Sequence, residues 1–183
     1  MTFFELYNLF PRLRTTFCQI TSRQDQGYNC IAWSLGDDLR WWWPDPLGQY
    51  YWPPEARREE SVEAFVEAYR LVSGFEVCSS LEPEPEHEKI AIFSKGGKPT
   101  HAARQLQNGN WTSKLGGLED IEHQLGALES SSYGQIAIIL KPLHRLRGDA
   151  DFGPALPAVR GRLPASGRDA SGRDASRRER RCR

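Results

Sequence analysis

An Asn-Gly pair between two extended runs constrains the fold of this chain more than any other feature. Asn108-Gly109 separates residues 100–106 from residues 111–115, and both runs are strand-like in composition. Asn-Gly between such runs is a strong hairpin signal, because both residues accept a positive φ. Residues 89–94 form a further strand-like run that turns at Gly96-Gly97, and residues 75–78 and 133–140 read as short strands. The pattern predicts an antiparallel sheet of four or five strands.

The turn position also predicts a register for the hairpin. Counting outward from Asn108-Gly109 pairs Leu106 with Trp111 and Arg104 with Ser113. Side chains alternate along a strand, so Gln105 shares a face with His101. In this register Ser113 joins that face only if a bulge shifts the pairing by one residue.

Helical periodicity is clearest over residues 55–73, where apolar residues recur at helical spacing and Gly74 follows as a stop. Residues 119–128 predict a second helix, with Ile121, Leu125 and Leu128 on one face. A short helix is also expected to begin at Cys30, after Asn29 as its N-cap. Together these elements predict a single α+β domain in which a cysteine-bearing helix packs on the sheet.

Charge divides the chain into a body and a tail. Residues 1–143 carry 19 acidic and 13 basic side chains, whereas residues 144–183 carry 11 arginines against 5 acids and repeat Ser-Gly-Arg-Asp-Ala in tandem. We therefore expect a folded domain over 1–143 and a disordered tail over 144–183. An acidic body lacks the clustered Lys and Arg of a nucleic-acid-binding domain, so no nucleic-acid partner is expected.

The cysteines and the N-terminus indicate a protein of the cytoplasm. The four cysteines, at positions 18, 30, 78 and 182, have no paired spacing, and no histidine forms a close ligand pair with them. We expect free thiols and no metal or other cofactor. The sequence has neither a secretory signal pattern nor an apolar run that could cross a membrane, and it leaves the oligomeric state open.

Cys30 is the candidate nucleophile. A thiol in the first turn of a helix faces unpaired backbone N–H groups and the positive end of the helix dipole, which favour the reactive thiolate. The structural alternative is a small buried hydrophobic residue, the commoner role of a lone cysteine.

His101 is the candidate base, because cysteine catalysis needs an imidazole within hydrogen-bond reach and a third group that orients it. The alternative is a buried structural histidine. His123 is a rival base: on the predicted helix it lies at i, i+3 from Asp120 and beside it.

Aromatic residues gather between the cysteine and the long helix. Trp41-Trp42-Trp43 and Tyr50-Tyr51-Trp52 are interleaved with prolines, which predicts an ordered loop instead of a helix or strand. The rings are either a lid over the core or the wall of a groove beside Cys30.

The order of these motifs resembles the NlpC/P60 branch of papain-like cysteine hydrolases. Tyr28-Asn29-Cys30-Ile31-Ala32-Trp33 is similar to the segment that opens the catalytic helix, residues 88–93 to the strand that follows, and His101 to the base. Asn108-Gly109 matches the turn, and Ser113 lies twelve residues after His101. The resemblance implies a papain-like fold with Cys30 as nucleophile, His101 as general base and acid, and Ser113 as the orienting residue.

The same resemblance implies a substrate-binding surface. A glutamine before the cysteine helps to form the oxyanion hole in papain-like enzymes, a position that Gln24 and Gln26 suggest here. The remaining candidates for substrate contact are Tyr28, Trp33, Trp43 and Gln105. Serine departs from the family's usual third residue, and it orients an imidazole less strongly.

A closer resemblance is to an uncharacterised bacterial family. Its motifs are Tyr-Asn-Cys-Ile-Ala-Trp, Trp-Trp-Trp-Pro, Thr-His-Ala-Ala-Arg-Gln-Leu, Trp-Thr-Ser-Lys-Leu-Gly and Glu-Asp-Ile-Glu-His, all within residues 26–140. This resemblance implies no mechanism.

Three functions follow from the sequence. The first is a cysteine hydrolase or acyl-transfer enzyme that acts on an amide bond of a peptide or protein side chain. The second is a catalytically inactive papain-like module that binds a peptide or protein through its aromatic surface. The third is a toxin-like effector that deamidates a side chain with the same residues.

Overall fold

The computed structural model describes residues 3–143, so the prediction of a disordered tail over 144–183 lies outside the described residues. The helices are α1 (Phe3–Leu9), α2 (Cys30–Ser34) and α3 (Val62–Ser73), with 3₁₀ turns at Pro11–Arg14 and Leu125–Leu128. The strands are β1 (Cys18–Ile20), β2 (Phe75–Cys78), β3 (Ile90–Lys95), β4 (Lys98–Gln105), β5 (Trp111–Lys114), β6 (Asp120–His123) and β7 (Gln135–Pro142).

The seven strands form one antiparallel sheet in the order β1-β6-β5-β4-β3-β7-β2. Side chains alternate across this sheet, so the central strands β4, β3 and β7 each contribute to two apolar clusters on opposite faces. Cluster 1 contains Cys30 and Ile31 of α2, Phe65 and Tyr69 of α3, and alternate sheet residues such as Ala102. Cluster 2 packs α1 and the 3₁₀ turns on the other face, against sheet residues that include Phe93, Ala103 and Ile121. The predicted α+β domain is therefore built around a larger sheet than expected, with short helices on both faces.

The long helix begins later than its pattern suggests. Ser61 caps α3 by accepting a hydrogen bond from the Ala64 N–H, and Gly74 ends the helix with φ +64°. Residues 55–61 instead form a loop, where Arg57 bonds Glu67 of the helix.

The predicted helix over 119–128 is wrong. Asp120–His123 is strand β6, which pairs with both β1 and β5, and a 3₁₀ turn follows it. The apolar spacing fits a helix, but hydrogen bonds to two neighbouring strands satisfy the backbone of this segment. Asp120 and His123 consequently point to opposite faces of the sheet and are not neighbours.

The hairpin register differs from the predicted one by a single residue. Gln105 pairs with Trp111 and Arg104 with Thr112. The Leu106 N–H donates to the Asn110 carbonyl at 2.7 Å, which closes a three-residue turn with Gly109 at φ +86°. A one-residue slip moves every side chain of a strand to the other face. Ser113 therefore shares the face of His101 without a bulge.

Candidate active site

Cys30 begins α2, as predicted, with Asn29 as its N-cap. The Asn29 Oδ1 accepts hydrogen bonds from the Ala32 and Trp42 N–H groups, each at 3.2 Å, and its Nδ2 donates to the Trp42 carbonyl at 2.9 Å. One buried amide thus fixes both the start of the helix and the start of the aromatic loop.

The sulfur of Cys30 lies where β4 and β5 separate. Their ladder covers Arg104 and Gln105 only. The Leu106 N–H points towards β5 and the Gln105 N–H towards β3, so the Ala102 N–H points towards β5, where it has no ladder partner. This N–H faces the Cys30 sulfur, as do the N–H groups of Cys30 and Ile31.

The thiol is not in the thiolate form that its position predicts. Burial raises the pKa of Cys30 to about 11, and this effect outweighs the three N–H groups, which favour the negative charge. The helix has only five residues, so its dipole is small. The resting group is a neutral thiol with 6% of its surface exposed.

His101, Ser113 and His123 form a hydrogen-bonded chain across three neighbouring strands on the cluster 2 face. The Nε2 of His101 lies 2.9 Å from the Ser113 Oγ, which lies 2.8 Å from the Nε2 of His123. The Nδ1 of His123 lies 2.8 Å from the Gln124 carbonyl oxygen. Ser113 contacts His101, as predicted, whereas the participation of His123 was not expected.

His101 is enclosed by aromatic rings. Tyr133 stacks on the imidazole with ring centres 4.1 Å apart, and Phe93 contacts it edge-on at 5.4 Å. Burial holds the pKa of His101 well below its usual range, and the charge of His123 lowers it further. The Nδ1 of His101 has no hydrogen-bond partner.

The predicted hydrogen bond between Cys30 and a histidine is not formed. Both nitrogens of His123 and the Nε2 of His101 have other partners, and the Nδ1 of His101 has none. Cys30 belongs to cluster 1 with Ala102, whereas His101 points to the other face of β4 beside Phe93. The two groups approach the gap between β4 and β5 from opposite faces.

An electrostatic interaction nevertheless crosses this gap. Burial raises the pKa of Tyr133, and negative charge on Cys30 raises it further. Tyr133 is stacked on His101, so an ionised Cys30 would act on the ring that covers the imidazole.

Three of the proposed substrate contacts lie close to Cys30 in sequence, and two of them have structural partners. Tyr28 is buried and donates to the Asp120 Oδ2 at 2.9 Å. The Trp33 indole donates to the Thr112 Oγ1 at 3.3 Å, and the Arg104 guanidinium lies 5.3 Å from its ring centre. The Gln26 side chain is exposed, while its carbonyl accepts a hydrogen bond from the Trp41 indole.

The other two contacts lie away from the cysteine. Gln105 shares the face of His101, but it is four residues further along β4, or about 13 Å. Its side chain donates to the Leu81 carbonyl at 3.0 Å. The Trp43 indole donates to Glu60 at 3.1 Å, and the ring packs on Phe65 of α3.

The aromatic loop is ordered, and part of it forms the predicted lid over the core. Trp42 and Trp52 are buried in cluster 1, so they cover the core. Trp41 and Tyr50 contact each other with ring centres 6.0 Å apart, and Tyr50 remains exposed.

A buried charged cluster beside α2 was not anticipated. Lys114 donates to the Leu118 carbonyl, lies 3.9 Å from the Asp120 Oδ1 and sits 4.6 Å from the ring centre of Tyr28. Burial lowers the pKa of Lys114 and raises that of Asp120. Side chains alternate along β5, so Thr112 and Lys114 point to the same face of the sheet. In the sequence, this alternation was the available signal for the position of Lys114.

The described part of the chain contains neither a cluster of metal-binding side chains nor a membrane-spanning helix. Within residues 3–143, no three His, Cys, Asp or Glu side chains are grouped so that they could hold a metal ion. No helix in that range has the length and apolar character needed to span a bilayer.

Comparison with known proteins gives a family but no mechanism. Neither the curated proteins nor the solved structures contain a match to this chain. A family model described as "Domain of unknown function (DUF7689)" matches residues 19–141, which include Cys30, the His101–Ser113–His123 chain and the aromatic loop. The chain therefore belongs to the DUF7689 family of domains of unknown function.

Proposed function

We propose that this protein is a cysteine hydrolase or acyl-transfer enzyme that acts on amide bonds, with Cys30 as nucleophile and His101 as general base and acid. The proposal includes a papain-like arrangement of the NlpC/P60 type, in which a cysteine helix meets a strand that carries the histidine. Ser113 holds the imidazole, and the substrate is an amide of a peptide or a protein side chain.

One observation carries this proposal: His101, which has a buried nitrogen without a partner, is next in sequence to Ala102, whose N–H faces the Cys30 sulfur. The Nε2 of His101 is held by Ser113, and its Nδ1 is buried without a partner. The neighbouring Ala102 N–H faces the Cys30 sulfur. A buried nitrogen without a partner is costly in a folded protein, and such costs are concentrated at functional sites.

The reaction begins from a neutral pair, because burial disfavours both the thiolate and the imidazolium. As the Cys30 sulfur attacks the amide carbonyl carbon, the thiol proton passes to the Nδ1 of His101. Backbone N–H groups at the start of α2 stabilise the oxyanion. Collapse of the tetrahedral intermediate breaks the C–N bond, and the Nδ1 proton leaves with the amine.

The resulting thioester is resolved by a second nucleophile. Water, or an acceptor amine in acyl transfer, gives a proton to the Nδ1 of His101 and attacks the thioester carbon. The carboxylic acid or new amide is released, and the proton returns to the Cys30 sulfur. Because sulfur and imidazole are on opposite sides of the β4–β5 gap, this proposal requires the gap to open when substrate binds.

Covalent labelling tests the proposal directly. We expect a peptidyl vinyl sulfone to alkylate Cys30 at pH 7, because the imidazole can take the thiol proton and return it to carbon. His101→Ala should reduce labelling of Cys30 at least tenfold and leave labelling of Cys78 unchanged. Equal labelling of Cys30 in the two proteins would refute its pairing with His101.

A binding module is the second candidate, and burial of the thiol favours it. Leu39 and Leu47 are 85% and 79% exposed on the loops around the Trp41–Tyr50 pair, so apolar side chains face solvent there. If Cys30 resists the vinyl sulfone throughout, this candidate replaces the enzyme.

A further inference from the structure

We infer that His123 is a positioning residue, which acts through Ser113 to keep the proton of His101 on Nε2 and the lone pair on Nδ1. The catalytic meaning of this assignment rests on the proposed function, but the tautomer itself does not. His123 would thus be a fourth member of the site instead of a competing base.

The backbone of Gln124 fixes the tautomer of His123. The Gln124 carbonyl oxygen can only accept a hydrogen bond, and the Nδ1 of His123 lies 2.8 Å from it. This nitrogen must therefore carry a proton. Burial lowers the pKa of His123 to about 4, so at neutral pH the ring holds one proton and its Nε2 is an acceptor.

Ser113 links the protonation state of His123 to that of His101. Its Oγ lies 2.8 Å from the Nε2 of His123, and its single proton must be directed there because that nitrogen has none. The oxygen is then an acceptor towards His101, 2.9 Å away, so the Nε2 of His101 must be the donor. The neutral ring of His101 has one proton, which leaves Nδ1 as the basic nitrogen.

The opposite arrangement of protons is disfavoured at the contact between His123 and the Gln124 carbonyl. A Ser113 hydroxyl that donated to His101 would need a proton on the Nε2 of His123. A neutral His123 would then present an unprotonated Nδ1 to the Gln124 carbonyl, so that two lone pairs would meet at 2.8 Å. A single backbone carbonyl therefore determines which nitrogen of a histidine 23 residues earlier is basic.

Nitrogen NMR of the full chain with ¹⁵N-labelled histidine reads these tautomers without any substrate. The His101 signals are assigned by their loss in His101→Gln. We expect a protonated Nε2 and an unprotonated Nδ1 for His101, and the reverse for His123. In His123→Phe, the Ser113 hydroxyl loses its acceptor and turns to His101, so the proton should shift from Nε2 to Nδ1. His123→Gln offers a carbonyl oxygen near the original acceptor and should retain the wild-type tautomer.

The outcomes separate the two proposals. A wild-type His101 with its proton on Nδ1 would overturn the inference, as would a tautomer that His123→Phe leaves unchanged. If His123→Phe does not fold, the wild-type spectrum and that of Ser113→Ala still decide, because loss of the hydroxyl should also release the tautomer. The expected tautomers together with an unreactive Cys30 would support the positioning role of His123 and refute the proposed enzymatic function.

Discussion

The backbone N–H of Ala102 faces the sulfur of Cys30 at the point where strands β4 and β5 separate. In a regular ladder this group would bond to β5. Here the strands separate on the N-terminal side of Arg104 in β4, and the Cys30 thiol faces this N–H instead of a carbonyl of β5. The cysteine is therefore part of the sheet architecture, and its ionisation is linked to folding.

The first prediction is an alkaline loss of stability due to Cys30. The folded pKa is about 11 and the ordinary value is 9.0, so between these values the unfolded chain loses the thiol proton and the folded chain keeps it. The free energy of unfolding should therefore fall as pH rises, by about 2–3 kcal/mol across this range. Urea denaturation from pH 8 to 10.5 measures the slope, and Cys30→Ser should make it shallower. Identical slopes in the two proteins would contradict burial of the thiol.

The second prediction is an acid loss of stability due to His123. Its folded pKa is about 4 against an ordinary 6.5, so in this interval the unfolded chain binds a proton that the folded chain does not. Stability should decrease as pH falls from 6.5 to 4, by about 3 kcal/mol for this residue. His123→Gln should reduce the slope of unfolding free energy against pH. An unchanged slope in His123→Gln would contradict a buried, neutral His123.

The third prediction concerns the link between α2 and the aromatic loop. Asn29→Ala removes the helix cap and leaves two backbone groups of Trp42 unpaired, so it should cost about 2–4 kcal/mol. Asn29→Asp keeps the acceptor and loses the donor, so its cost should be smaller. Thermal and urea unfolding give these values, while alkylation of Cys30 should accelerate in Asn29→Ala. The exposed Asn8→Ala should stay within about 0.5 kcal/mol of wild type. A cost that small for Asn29→Ala would show that the amide does not hold the loop.

The fourth prediction compares two glycines that both have a positive φ. Gly134 has φ +74°, and a Cβ there would overlap the carbonyl group of Ser94 in β3. Gly48 has φ +66° and open space around it. Gly134→Ala should therefore cost about 3–5 kcal/mol, and Gly48→Ala only the 1–2 kcal/mol of left-handed strain. Equal costs by urea denaturation would mean that the β3–β7 contact is looser than the structure indicates.

Local patterns predicted much of the sheet but failed where backbone pairing competes with side-chain spacing. The strands around Asn108-Gly109 were recognised because alternation and turn chemistry agree there. The register was one residue off because the turn closes at Leu106 and Asn110, a detail of backbone hydrogen bonding. Ile121, Leu125 and Leu128 have helical spacing, yet β1 and β5 both pair with this segment.

For the candidate site, too, some predictions were correct and others failed. His101 and Ser113 were matched through the family resemblance, because the predicted hairpin register put Ser113 on the other face of the sheet. The role of His123 was missed because a helix was expected there. Whether Cys30 meets His101 depends on which face of β4 receives α2, and no local pattern contains that information. The raised pKa of the thiol likewise depends on burial, which arises from the whole fold.

The positions of the site residues along the chain predict the order in which their contacts form during folding. His101, Ser113 and His123 come from three consecutive strands joined by short turns, so their contacts close small loops and can form early. Cys30 must dock from about 70 residues away, and the closure of so long a loop is slow. During refolding we therefore expect the hydrogen-bonded chain of His101, Ser113 and His123 to form first, while the Cys30 thiol is still exposed to solvent. A pulse of alkylating reagent should then label Cys30 fastest in the interval before α2 reaches the sheet.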